Sequence, residues 1–228
     1  MKKDKGKKNN KKTKQPIYYG LHLEIETERK LLQLIQNSME LILSQYKEDF
    51  NQTYDTIIEL IKKFDEAKEG NEDNNKQNKT IEVNKMKYPK SFHITTLFGG
   101  RKGFDEKSEA YKEFSQGKVV GIKPLGVVIV PNKMVIIPLT AECSIDNQFP
   151  HLTTFIGELK PVQSNEILES LFDDKMSLNE EYNNVLEGKE GEYIKKTTIK
   201  IDGSDADAFV YLNSKNEKFL GRMKGYFF

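Results

Sequence analysis

Two short stretches carry the residues best able to do chemistry. "SFHITTLFGG" spans 91–100 and "PHLTTFIGEL" spans 150–159, and both contain His-x-Thr-Thr followed by Leu or Phe. The chain has three histidines, and two of them, His93 and His151, open this word. On an extended strand, residues i and i+2 face the same side. His93, Thr95 and Leu97 then share one face, opposite Phe92, Ile94, Thr96 and Phe98. In the second copy His151, Thr153 and Phe155 oppose Leu152, Thr154 and Ile156. Each strand can pack its apolar set on a helix and project His and Thr from the other side, which leaves Thr96 and Thr154 as structural residues.

An imidazole gives or takes a proton near neutral pH, and a threonine hydroxyl donates a hydrogen bond to a phosphoryl oxygen. Two such pairs across a cleft supply an acid, a base and two anion donors. That set suits in-line attack on a phosphodiester. One histidine activates water or a hydroxyl, the other protonates the leaving oxygen, and the threonines hold the non-bridging oxygens as charge develops. The scheme needs no metal and no cofactor, and no cluster of further histidines or cysteines suggests one. A single His-x-Thr on a strand is ordinary. Two copies among three histidines, each with a second Thr and an apolar fifth residue, require a reason.

The elements that must position these residues follow from hydrophobic period. "PIYYGLHLEIE" alternates apolar and polar residues and predicts a strand. A helical stripe of Leu31, Leu34, Ile35, Met39, Ile42 and Tyr46 follows, with Thr27 as its N-cap. A second helix over 53–68 buries Tyr54, Ile57, Ile58, Ile61 and Phe64. Residues 69–80, "EGNEDNNKQNKT", are polar and of low complexity and read as a flexible surface loop. The strand at 91–98 leads through "GGRKG" to a short helix near 105–115. "KPLGVVIVPNKMVIIPL" reads as a hairpin about "PNK". After the second strand, 151–156, "SNEILESLF" starts on a capping signal, Ser164 or Asn165. A polar insertion spans 173–191. Two strands, "EYIKKTTIKI" and "DAFVYLN", and a short aromatic tail complete the order. Each half pairs a His-x-Thr strand with a following helix. This predicts an α+β fold of two pseudo-symmetric lobes, with antiparallel sheets flanking a central cleft and helices on the outer faces.

Composition bounds the setting. A chain of 228 residues suits one domain or two small lobes sharing a core. Residues 1–14 hold eight lysines against one aspartate, so the rest of the chain is mildly acidic despite the net charge of +1. Residues 1–15 read as a disordered basic arm, either a solubilising tail or a contact to phosphates. Residues 16–228 form the single bilobal domain. The lone Cys143 rules out an intramolecular disulfide and fits a reducing compartment. No apolar run approaches the roughly 18 residues of a membrane span, and no secretory h-region follows the N-terminal lysines. The expected location is cytoplasmic or nuclear, with no membrane partner.

The paired words "HITTL" and "HLTTF", about sixty residues apart in an α+β chain, resemble the signatures of the two-histidine (2H, LigT-like) phosphoesterase superfamily. A narrower resemblance, carried by "KPVQSNEIL" after the second word, is to the cyclic phosphodiesterase domain of tRNA ligases. It covers roughly 17–213. It implies His93 and His151 as the acid–base pair and Thr95 and Thr153 as phosphate ligands. The implied reaction is metal-independent opening of a 2′,3′-cyclic phosphate, or a related 3′-end phosphodiester, on RNA or a nucleotide. Further substrate contacts are sought at Tyr18 and His22 on the first strand, at Tyr88 as a base-stacking ring, and at Arg101 and Lys102 in the glycine-rich turn. Two other readings compete: a non-catalytic module that holds an RNA end in the same cleft, and a subunit of a larger RNA-processing assembly in which the fold is only a scaffold.

Overall fold

The alternation in YYGLHL makes β1, Tyr18–Leu23, and buries Leu21 and Leu23. A computed structural model describes residues 16, 18–69, 81–88, 92–99, 104–189 and 191–226. The basic arm, the polar loop beyond Glu69, Arg101 and Lys102 lie outside the described residues. The remaining elements are α1 (Ile25–Gln45), α2 (Lys47–Glu69), β2 (Glu82–Val83), β3 (Met86–Lys87), β4 (His93–Phe98), α3 (Glu109–Glu113), β5 (Val119–Pro124) and β6 (Gly126–Val130). They continue with β7 (Met134–Ala141), β8 (His151–Ile156), a 3-10 turn (Pro161–Gln163), α4 (Ser164–Phe172), α5 (Asn179–Leu186), β9 (Glu192–Ile201), β10 (Ser204–Asn213) and β11 (Phe219–Tyr226).

The fold is α+β, and its strands pair antiparallel throughout. One path runs β2-β3-β8-β7-β5-β11-β1-β4, and β6 leaves β7 toward β10 and β9. β7 joins the two halves. Its start pairs with β6 through Met134–Ile136, its end with β5 through Leu139–Ala141, and its other edge carries β8. α1 and α2 cover one face across both halves. Ile35, Met39, Ile57 and Phe64 share a core with Leu21, Leu23, Ile94, Ile122, Ile137, Leu152 and Phe209. α4 and α5 cover the opposite face at the β6–β10–β9 end, through Ile167, Leu171, Tyr182 and Val185 against Val128, Ile136 and Val210. β6 is buried along its whole length, which is why GVVIV is a continuous apolar run and not an alternation.

Several boundaries differ from the sequence expectation. Helix α1 begins at Ile25, so Thr27 lies in its first turn; Glu24 is the N-cap and makes no side-chain cap bond. The segment 173–191, read as a polar insertion, contains α5, whose Tyr182 and Val185 sit in the second core. Gly225 and Tyr226 of the aromatic tail end β11, a strand between β1 and β5. Its buried residues Phe219, Gly221 and Met223 alternate with exposed ones, but two glycines and two cations within LGRMKGY mask the period.

β11 is the shared neighbour of β1 and β5 and contributes Phe219 and Met223 to the main core. Truncation after Lys218 should therefore abolish cooperative thermal unfolding followed by circular dichroism. A cooperative transition within a few degrees of the full chain would show that β11 is peripheral.

Candidate active site

Both His-x-Thr words form six-residue strands, β4 and β8, and their first five residues have the same burial pattern. His and the first Thr are half-buried, and the residues between and after them are buried. The register accounts for the second Thr. On β4, Thr95 faces Gly20 and Leu97 faces Tyr19, so Thr96 is the extra residue of a β-bulge. On β8, Thr153 faces Ile136 and Phe155 faces Val135, so Thr154 is the extra residue there. A bulge breaks the period of two. This corrects the expectation that Phe155 shares a face with His151 and Thr153, because Phe155 lies in the main core with Leu152. Leu97, likewise expected beside His93 and Thr95, is buried opposite Tyr19. The buried Thr154 hydroxyl donates to the Val135 carbonyl at 3.1 Å.

Strands β4 and β8 lie beside each other, and the Asp146 N–H donates to the Thr96 carbonyl at 2.9 Å, tying the segment before His151 to β4. Cross-strand neighbours share a face. His93 stands opposite His22, which stands opposite Arg222; Thr95 stands opposite Gly20, which stands opposite Lys224. This face points away from α1 and α2, whose core takes Leu21, Leu23, Ile94 and Met223 from the alternate positions. A Cβ at Gly20 would meet the Ile94 carbonyl oxygen at 2.7 Å, so glycine lets β1 and β4 approach at the bulge.

His93 is held by rings. Tyr18 stacks on it at 5.1 Å between centroids, Tyr226 lies 5.1 Å from it, and the two tyrosines stack on each other at 4.5 Å. Burial, and then the neighbouring Tyr18, push the Tyr226 phenol above its ordinary range; burial does the same to Tyr18. The backbone entering His93 is anchored by Glu28 on α1. Its buried carboxylate accepts the Phe92 N–H at 3.0 Å.

His151 is held by polar groups. Its Nδ1 lies 2.7 Å from the Phe149 carbonyl and its Nε2 lies 2.6 Å from Ser164 Oγ. Burial pushes its pKa below the ordinary histidine value, while the Phe149 carbonyl acts in the opposite direction. A histidine whose folded pKa is depressed adds stability above its unfolded pKa, and that stability is lost as pH falls through the folded value.

The other candidates divide. Tyr18 and His22 sit beside His93. Tyr88 does not: it is 6% exposed and packs against Phe64, Phe92 and Phe155, so it is a core ring and cannot stack on a base. Arg101 lies outside the described residues. Cys143 is half-buried and its thiol is pushed up to about 11, chiefly by burial and then by Glu113, which makes it a poor nucleophile. Among the described residues no group of three or more His, Cys, Asp or Glu side chains could hold a metal ion, and no helix is long and apolar enough to cross a membrane. A cavity of about 390 Å³ between the Leu139–Pro150 segment and α5 is lined by none of His93, His151, Thr95 or Thr153. Sequence reasoning missed Ser164, read as a helix cap, and Tyr226, read as tail. "KPVQSNEIL" held the signal for the first, and the Phe219–Met223 alternation held that for the second.

No protein-family profile matches the chain, and no curated protein matches it. Among solved structures, a fungal RNA kinase matches with a TM-score of 0.51 and 16% sequence identity, over 96% of this chain and 47% of that one. The chain thus spans about half the length of that kinase chain. At this identity the likeness is one of fold.

Glu28→Ala should cost about 1–3 kcal/mol in denaturant unfolding, because the Phe92 N–H is left buried without the carboxylate. A loss below about 0.5 kcal/mol would mean that the carboxylate does not anchor β4.

Proposed function

We propose that this chain is a phosphodiesterase of the two-histidine kind that acts on RNA ends and opens a 2′,3′-cyclic phosphate to a monoester. One observation carries the reading: two strands side by side present His and the first Thr of the same word, with the same bulge after each. Water attacks phosphorus as one histidine takes its proton. The P–O bond to ribose O2′ or O3′ breaks, and that oxygen receives a proton from the other histidine. Thr95 and Thr153 hold the non-bridging oxygens. Lys224, on the same sheet face as His22, favours an anionic substrate, while the Arg222 guanidinium is held by Glu24 and the Gly117 carbonyl.

The shared fold with a fungal RNA kinase supports an RNA substrate. It does not favour kinase chemistry for this chain. The 228 residues contain no G-x-x-x-x-G-K-[ST] loop to cradle a nucleotide, and more than half of the kinase chain lies outside the likeness.

A Ser–His dyad is a second chemistry that the 2.6 Å contact at His151 suggests. Ser164 is 2% exposed and its hydroxyl also lies 2.7 Å from the Pro161 carbonyl, so it is not presented to a substrate as a nucleophile.

Wild type, incubated in chelator with 2′,3′-cyclic nucleotides and with a short RNA ending in a cyclic phosphate, should give monoester product. His93→Ala and His151→Ala should each lower the rate by about 10²-fold or more. No turnover by wild type on any of these substrates would sink the hydrolase reading. Turnover that survives both substitutions would sink the site assignment.

A further inference from the structure

The conspicuous sequence stretch that the reaction above leaves unused is "KPVQSN". It supplies Ser164, which contacts His151, and Asn165, which accepts from Asn147 on the segment before His151. Ser164 Oγ lies 2.6 Å from Nε2 and 2.7 Å from the Pro161 carbonyl. On the other side of the ring, Nδ1 lies 2.7 Å from the Phe149 carbonyl. The segments gripping the two nitrogens are tied together. Asn147 Nδ2 donates to Asn165 Oδ1 at 2.8 Å, and Asn147 Oδ1 accepts the Phe149 N–H at 3.3 Å. The imidazole therefore sits in a clamp whose jaws are the Asn147–Phe149 segment and the first turn of α4.

Counting hydrogens decides what the clamp holds. A carbonyl only accepts, so the Phe149 contact requires a hydrogen on Nδ1. A serine hydroxyl has one hydrogen. With that hydrogen on the Pro161 carbonyl, Oγ is an acceptor and the 2.6 Å contact requires a hydrogen on Nε2 as well. The chain Phe149 O, His151, Ser164, Pro161 O is complete only around an imidazolium. In a neutral ring with its hydrogen on Nδ1, Nε2 and Oγ would face each other lone pair to lone pair unless the hydroxyl left Pro161.

We infer that Ser164 is a positioning residue that holds the transferable proton on Nε2 of His151, and thereby makes His151 the general acid of the reaction proposed above. The inference rests on that reading for its catalytic part only. In the resting fold Ser164 Oγ is the acceptor for this proton. During reaction the Nε2 hydrogen passes to the departing ribose oxygen as the P–O bond breaks, while His93 takes the proton of the attacking water. Burial depresses the affinity of His151 for its proton and makes it a readier donor, and an accepting Ser164 hydroxyl opposes that depression. The groups described at the ring are neutral: the Phe149 carbonyl at Nδ1 and Ser164 Oγ at Nε2, with Pro138 of β7 opposite His151 in register. No charged side chain is among the causes of its shift.

The test is Ser164→Ala in the full chain, which removes the acceptor and adds no bulk. Ring NMR of His151 reads its titration directly, whether or not the protein turns over substrate. The titration midpoint should fall by about one pH unit, the effect of losing a hydrogen bond to a charged group. The basic limb of kcat/KM on a 2′,3′-cyclic nucleotide should fall with it, since a general acid is lost as pH rises through its pKa. Ser164→Thr, which keeps the hydroxyl, should return both toward wild type. A midpoint that stays or rises overturns the inference, because the hydroxyl would then be serving the neutral ring. A shift confined to the acid limb overturns the assignment of His151 as acid, and a Thr variant that behaves like Ala assigns the effect to packing instead. An inactive wild type overturns the proposed function and leaves the NMR result to judge Ser164.

Discussion

Everything at the site depends on one break in strand alternation, placed at the second threonine of each His-x-Thr-Thr word. A strand that must bury one face against helices can present only every other residue to a cleft. His and the first Thr meet that demand at i and i+2. The bulge at Thr96 and at Thr154 then shifts the following residue out of step, so that Leu97 and Phe155 are buried while His and Thr stay half-exposed. The same device in both strands gives each histidine the same relation to its sheet.

The two histidines are nevertheless held differently. His93 lies against Tyr18 and Tyr226, contacts that fix a ring plane. His151 is bracketed by Phe149 O and Ser164 Oγ, contacts that count hydrogens. A matched pair of motifs thus acquires unlike surroundings, as the proposed acid–base reaction at a single pH would require.

Much of this was legible in the sequence. Period-two alternation placed His93, Thr95, His151 and Thr153 on strands, and the burial of Thr96 and Thr154 agrees with their reading as structural residues. What was not legible depended on partners distant in the chain. Leu97 and Phe155 were assigned to the wrong face because a bulge is defined by register against β1 and β7, which a single strand's pattern does not reveal. Tyr88 looked like a candidate base platform until Phe64, Phe92 and Phe155 enclosed it. β11 escaped because its exposed face carries Arg222 and Lys224, and its buried face includes Gly221, so its hydrophobic signal was thin. Ser164 was read through its local role at a helix start. Its contact with a ring thirteen residues earlier is tertiary.

The central claim is that His93 and His151 serve one phosphate. Its most direct measurement is to titrate the full chain with adenosine 2′-monophosphate and adenosine 3′-monophosphate while following the imidazole resonances of both histidines. If the two histidines share one phosphate, at least one of the two nucleotides should move both rings along a single binding curve. Movement of only one ring, or of the two rings along separate curves, would contradict it.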